Sequence, residues 1–284
     1  MKKIGFVDYY LSEWHANNYP AWIRQANDVL GTDFCLSYAW AELDTSPKDG
    51  VSSEQWCQKF GAEQCATLEE LCEKSDCILI LAPSDPDRHL EYARKVLPYG
   101  KPTYIDKTFT VNLAEAKEIF RIAAEYNTPF FSSSALRYAE ELRELPPLKS
   151  FMLTGGGGNF PEYSIHLVEM AVMLSSSPAV EAKTEPVGSG RLCRIRFENG
   201  QEAALVYSPA APYSLFAQPI EGKHCKRIIT SQFFEGLIRD ILRFYACGTP
   251  SFNTAQTLRA MALRDALLLS ETQDGCWIKV EDTP

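Results

Sequence analysis

The chain has 284 residues, 45% of them hydrophobic and 12% aromatic, which is enough for a full core and for two domains. Its 28 Lys plus Arg stand against 37 Asp plus Glu, a formal net charge of -9, and this acidic balance argues against a nucleic-acid or anionic-membrane partner, which would need a basic face. Every apolar run is far shorter than a membrane span and MKKIGFVDYY enters a strand without a signal-peptide pattern, so a soluble cytoplasmic protein is expected. The nine cysteines are odd in number, lack Cys-x-x-Cys, and at Cys57, Cys65, Cys72 and Cys77 match no zinc knuckle. They read as reduced thiols serving as small apolar residues, with neither metal nor disulfide expected.

In chain order, Lys3 to Val7 is a short apolar strand, and Glu13 to Leu30 shows helical spacing through Trp14, Trp22, Ile23 and Ala26. A strand, turn and helix at this place is where a dinucleotide fold carries Gly-x-Gly-x-x-Gly, and this chain has none of those glycines. Tyr9, Tyr10 and Trp14 read as packing of the loop on the sheet edge. Phe34 to Ala41 is a second strand, and an acid at its end, Glu42 or Asp44, is placed to accept from a ribose diol, or is simply solvated. A helix over Ser52 to Phe60, a short strand over Ala62 to Cys65 and a capped helix from Thr67 lead to Cys77 to Ala82. That run is continuously apolar, as a strand covered on both faces must be, and Pro83 stops it. The next helix begins near Pro86-Asp87, carries Leu90, Ala93 and Leu97 at spacings of three and four, and closes at Gly100; His89 at its start reads as a cap or surface residue. Thr103 to Ile105 is another strand, followed by Asp106-Lys107-Thr108, a further helix and a last strand. Strands joined by helices lie parallel, which makes this half a doubly wound sheet, and ligands bind at the ends of such strands.

After Ser133 the pattern changes. A boundary within Ala135 to Leu148 gives a Rossmann-like domain of the dinucleotide-binding type at 1–135 and an α+β domain with a mainly antiparallel open sheet at 136–284. The second begins with the strand Lys149 to Leu153 and the run Gly155-Gly156-Gly157-Gly158, which alone reads as a mobile turn. Glu162 and His166 follow on one face of a helix, one turn apart. Leu192 to Phe197 and Glu202 to Tyr207 flank Asn199-Gly200, a hairpin signal, with further strands at Ser214 to Pro219 and His224 to Thr230. Helices at Phe233 to Tyr245 and Thr254 to Thr272 close the chain.

Three features carry a resemblance: Gly100-Lys101-Pro102 with a strand ending in acid-lysine; a glycine run before Glu162-x-x-x-His166; and the tail from FEGLIRDILRFY through GTP to the strand around Gly275-Cys276-Trp277. Together they resemble the glucose-fructose oxidoreductase / inositol dehydrogenase / MocA family over nearly the whole chain. The resemblance implies an NAD- or NADP-dependent oxidoreductase acting on a CH–OH group of a sugar, cyclitol or related small hydroxyl compound, and a homo-oligomer. It implies that Lys107 lies between nicotinamide and substrate, that His166 takes the hydroxyl proton, and that Glu162 stands where the family has aspartate. Glu169, one turn on, either holds the imidazole or is a solvated helix residue. Laying VDYYLSEWHANN on the family pattern, with His15 on its histidine, puts Asp8, Tyr10 and Ser12 at the glycine positions, and Glu42, Pro83, His89 and Asp106 are the other candidate cofactor contacts. The family's Glu-Lys-Pro reads Asp106-Lys107-Thr108 here. A carboxylate at Asp8 repels a diphosphate, and side chains at Tyr10 and Ser12 fill the space its oxygens need. Two other functions stay open: a lyase or isomerase using Lys107, His166 and Glu162 as acid-base groups without free nicotinamide cofactor, and a non-catalytic sugar-binding or scaffold subunit.

Overall fold

The computed structural model describes residues 1–175 and 177–283, which form two units: residues 1–133 with 234–253, and the described residues of 134–233 with 254–283. The first unit runs β1 (Lys2–Asp8), α1 (Trp14–Leu30), β2 (Phe34–Ala41), α2 (Ser53–Phe60), β3 (Glu63–Gln64), α3 (Leu68–Lys74), β4 (Cys77–Ile80), α4 (His89–Val96), β5 (Thr103–Ile105), α5 (Leu113–Glu125) and β6 (Phe130–Phe131). Its sheet has the order β3-β2-β1-β4-β5-β6 and every pairing is parallel. This is a doubly wound sheet whose order reverses between β1 and β4, the place where such folds bind ligands.

Local chemistry sets these boundaries. Ser52 and Gln55 form a reciprocal capping box on α2, Thr67 caps α3 and Asn112 caps α5. Lys101 ends α3 from outside, its ammonium donating to the carbonyls of Cys72, Glu73 and Ser75. Gly5 is required in β1 because a Cβ there would meet Ser75 Oγ at 2.4 Å, so α3 packs directly on that strand. Burial pushes the Cys57 and Cys65 thiols up to about 11, which keeps them neutral in the core, and all nine cysteines are free.

The second unit is built on a mixed seven-stranded sheet. It comprises β7 (Leu148–Gly155), α6 (Phe160–Leu174), β8 (Ala179–Val187), β9 (Gly190–Phe197), β10 (Glu202–Tyr207), β11 (Ser214–Pro219) and β12 (Cys225–Ile228). The chain then makes α7 (Phe233–Cys247), α8 (Ala255–Thr272) and β13 (Ile278–Lys279), giving the sheet order β12-β11-β7-β10-β9-β8-β13. Only β7 and β10 pair in parallel. The sequence reading lacks β8, whose Lys183, Glu185 and Pro186 hide an alternation that buries Ala182 and Thr184.

The mobile-turn reading of the glycine run is corrected. A Cβ on Gly156 would lie 1.8 Å from Ser208 O and one on Gly157 1.9 Å from the Tyr163 ring, so these glycines permit close packing. Tyr213 and Tyr207 hydroxyls donate to the Gly156 and Gly157 carbonyls at 2.7 and 2.8 Å.

The chain also passes between units more often than a single boundary at 135/136 allows. Residues 234–253, which include most of α7, return to the first unit. The cause is the apolar face of that helix: Tyr245 Oη donates to Ile78 O at 2.6 Å, and Phe244 meets Phe131 edge-on with centroids 5.0 Å apart.

Candidate active site

Asp8 ends β1 and is buried, 1% exposed. Its Oδ1 accepts from Tyr9 N at 2.7 Å and from Ala82 N at 3.0 Å, which ties β1 to the end of β4, while Oδ2 has no hydrogen-bond partner among the described residues. Burial, then the neighbouring Glu13 carboxylate, pushes the Asp8 carboxyl well above its ordinary range despite the two amides. That rise favours the neutral form and so weakens the repulsion expected between Asp8 and a diphosphate. Tyr10 and Ser12 are buried as expected of space-filling groups, with Lys48 Nζ 5.5 Å from the Tyr10 ring centre, Ser12 Oγ donating to Asp49 at 2.7 Å and Ser46 Oγ donating to Ser12 O at 3.3 Å.

The decisive residue in this turn is Glu13, which the sequence reading treats only as the start of a helix. It is 5% exposed and caps α1, its carboxylate accepting from His15 N at 2.8 Å and from Ala16 N. Glu is not among the favoured N-cap residues, so propensity does not single it out. Burial raises the Glu13 carboxyl above its usual value, with His15 opposing the rise. The two backbone donors at the start of α1 that would face an anionic ligand are thus held by the chain's own acid.

Beyond β5, Asp106 Oδ2 stands 2.6 Å from His15 Nδ1 as an ion-pair contact, and Asp106 Oδ1 accepts from Tyr104 Oη at 3.1 Å. Burial works to raise the Asp106 carboxyl, but His15 and Lys107 outweigh it and hold the group below its ordinary value. Tyr19 Oη is wholly buried here without a hydrogen-bond partner among the described residues, and its phenol is pushed up by burial and by Asp106 and Glu13. Lys107 is 9% exposed and donates to Pro83 O at 3.0 Å; its peptide to Thr108 is cis. The fold thus gathers Asp8, Pro83, Asp106 and Lys107 at the carboxyl ends of β1, β4 and β5, with Glu13, His15 and Tyr19 added from α1.

Glu42 and His89 lie elsewhere in the same unit. Glu42 follows β2, where Tyr92 Oη donates to it at 2.8 Å and Arg88 approaches at 3.4 Å. His89 is neither cap nor surface: it is wholly buried, with Nδ1 2.9 Å from Phe109 O and Nε2 2.5 Å from Leu81 O. It braces the β4–α4 loop against the segment after β5, so its assignment to the cofactor surface is corrected.

In the second unit, Asn159 caps α6 by accepting from Glu162 N at 2.9 Å, and its amide donates back to Glu162 Oε2 at 3.1 Å. His166 is half-buried one turn on, its Nδ1 2.7 Å from Ser134 Oγ and its ring near those of Tyr163 and Tyr213. Ser134 Oγ also accepts from Leu136 N at 3.3 Å and has a second lone pair for a hydrogen on Nδ1, the tautomer in which Nε2 carries the lone pair that accepts a proton. Glu169 is buried rather than solvated: Oε1 accepts from Ser134 N at 2.8 Å and Oε2 lies 3.7 Å from Arg137 Nε. It reaches His166 through Ser134, a link the sequence spacing does not reveal. Glu162 and His166 share α6, whereas Lys107 belongs to the first unit.

The strand order of the first unit, with a lysine and acids at the carboxyl ends of its strands, is that of a doubly wound fold of the dinucleotide-binding type. The family model described as "Oxidoreductase family, NAD-binding Rossmann fold", GFO_IDH_MocA, matches residues 46–133. The likeness to that family lies within the first unit. The match covers Pro83, Asp106 and Lys107 and begins beyond the β1–α1 turn. An uncharacterized oxidoreductase, YhhX of Escherichia coli K12, is 39% identical over 56 residues, which is 20% of this chain and 16% of that protein's length. Among solved structures, a probable dehydrogenase from Thermotoga maritima superposes with a TM-score of 0.80 at 12% identity, covering 98% of both chains. Scyllo-inositol dehydrogenase from Lactobacillus casei, solved with bound NAD(H) and scyllo-inositol, gives 0.78 at 13% identity and covers 99% of both. At such identities the likeness is one of fold.

This chain's residues fit a nicotinamide dinucleotide unevenly. Glu42 supplies an acid of the kind a ribose diol meets, and Lys107 sits at the carboxyl end of β5, next to β4, but the turn before α1 offers no diphosphate seat while Glu13 occupies its amides.

Proposed function

We propose that the protein is an oxidoreductase acting on a CH–OH group of a sugar, cyclitol or related small hydroxyl compound, with NAD or NADP as redox partner. The observation that carries this reading is Lys107, held at the carboxyl end of β5 on Pro83 O and beside Asp106, inside the segment that matches the NAD-binding oxidoreductase family. In this reading the Lys107 ammonium stabilises developing negative charge on the substrate oxygen, and His166 exchanges the hydroxyl proton through Nε2. Ser134 orients that imidazole, and Glu162 is a further acid-base group on the same helix. The scyllo-inositol held by the Lactobacillus casei relative supports a polyol substrate class.

Titration with NADH and NADPH, then oxidation of a panel of sugars and cyclitols, tests the reading. Saturable cofactor binding, and turnover abolished in Lys107→Ala with the fold intact, are expected. A folded protein that binds neither cofactor at millimolar concentration sinks it. The Glu13 cap favours a second reading, acid-base lyase or isomerase chemistry by the same groups, and that outcome would direct the search there.

A further inference from the structure

We infer that Glu13 sets the first unit's affinity for its cofactor: its carboxylate is a built-in anion where a dinucleotide diphosphate would meet the start of α1. The inference rests on the reading above only for the identity of the ligand; the anion seat itself can be probed without it.

Three observations carry it. The Glu13 carboxylate takes the amides of His15 and Ala16, the donors at the start of this seventeen-residue helix, and does so almost wholly buried. The turn before it is pinned from both sides, by Glu42 N and Leu43 N donating to Asp8 O and Tyr9 O at 3.1 and 2.8 Å and by the Ser12–Asp49 and Ser46–Ser12 bonds, so Glu13 is delivered to the helix rather than left to solvent. Two buried polar groups that feel the Glu13 charge, Asp8 Oδ2 and Tyr19 Oη, have no hydrogen-bond partner among the described residues, which leaves polar groups at this turn that a ligand could meet. A diphosphate and this carboxylate cannot share the two amides, and their charges repel. Cofactor therefore binds only as Glu13 leaves its cap, and its affinity is reduced by the fraction of chains in which it stays.

The test uses the full chain and two probes, inorganic pyrophosphate by calorimetry and NADH by fluorescence. Glu13→Ser keeps a capping oxygen while removing the charge and opening space, and Glu13→Gln keeps an acceptor without the charge. Both variants are expected to bind pyrophosphate at least about tenfold tighter than wild type, Glu13→Ser by the larger factor. A wild type that binds either probe in the micromolar range and changes less than about twofold in Glu13→Ser overturns the inference. So does a variant with unaltered circular dichroism that gains no pyrophosphate affinity. A gain for pyrophosphate without a gain for NADH upholds the anion seat and sinks the nicotinamide reading. Should Glu13→Ser fail to fold, the pyrophosphate result for Glu13→Gln decides.

Discussion

Replacing Asp8 by Asn tests the charge state assigned to the β1–α1 turn. Asp8 is 1% exposed and lies in a cluster with Glu13 and Asp106, and burial followed by the Glu13 charge raises its carboxyl well above the usual range. In the unfolded chain it ionises near its ordinary value, so between that value and the raised one the folded chain holds one more proton. Stability then falls with rising pH, by about 1.4 kcal/mol per unit for one group. Asn cannot ionise and can keep both amide bonds through Oδ1. Its Nδ2 and the protonated Oδ2 it replaces are equally short of a partner, so that cost largely cancels. As pH rises from the ordinary carboxylate value toward the raised one, Asp8→Asn should therefore gain on wild type, at up to about 1.4 kcal/mol per pH unit. Scanning calorimetry of both proteins across that range reads the difference. Parallel pH profiles, or a variant that loses ground as pH rises, would refute a protonated Asp8.

Gly156→Ala should cost about 2 kcal/mol or more, because its Cβ would lie 1.8 Å from a backbone oxygen that cannot swing aside, whereas Gly158→Ala, 3.4 Å from Tyr163, should change stability little; urea unfolding of the two separates packing from turn flexibility. Burial works against the Glu141 carboxyl, but the Ser231 hydroxyl and the amides of Thr230 and Ser231 bring it down to about 2, so its grip is present above the ordinary carboxylate value and is lost as pH falls toward about 2. Glu141→Gln should remove that part of the acid transition, seen as a flatter stability profile below pH 4.5. Ser134→Ala should alter the tautomer balance of His166 in nitrogen-15 spectra while Ser134→Thr preserves it, and equal spectra in all three would show that Ser134 does not orient the ring.

Much of the fold is legible because its signals are local. The apolar run at Cys77, the Ser52 and Thr67 caps, the left-handed Gly100 and the Asn199-Gly200 hairpin each report chemistry within a few residues. What is not legible depends on distant partners. The charged strand Ala179–Val187 buries only alternate residues, and α7 shows its apolar stripe in the sequence but not that Ile78 and Phe131 are its targets. The glycine run looks mobile because nothing in it announces the Ser208 carbonyl and Tyr163 ring lying against it.

The candidate site is legible in its parts and not in their arrangement, and the β1–α1 turn shows why. The missing glycines direct attention to whatever stands in their place, hence to Asp8 and its charge. The structure turns that carboxyl inward onto Tyr9 N and Ala82 N, where burial favours its neutral form. A helix that loses its ligand still has amides to satisfy at its start, and a turn without glycines can satisfy them only with side chains. The acid immediately before the first helical residue is the one within reach, and here Ser12, Ser46 and Asp49 hold the turn that presents it. In this chain a turn without the glycine fingerprint and an acid at the following N-cap act together. The first removes the room for a diphosphate, and the second supplies the negative charge that the helix would otherwise take from it.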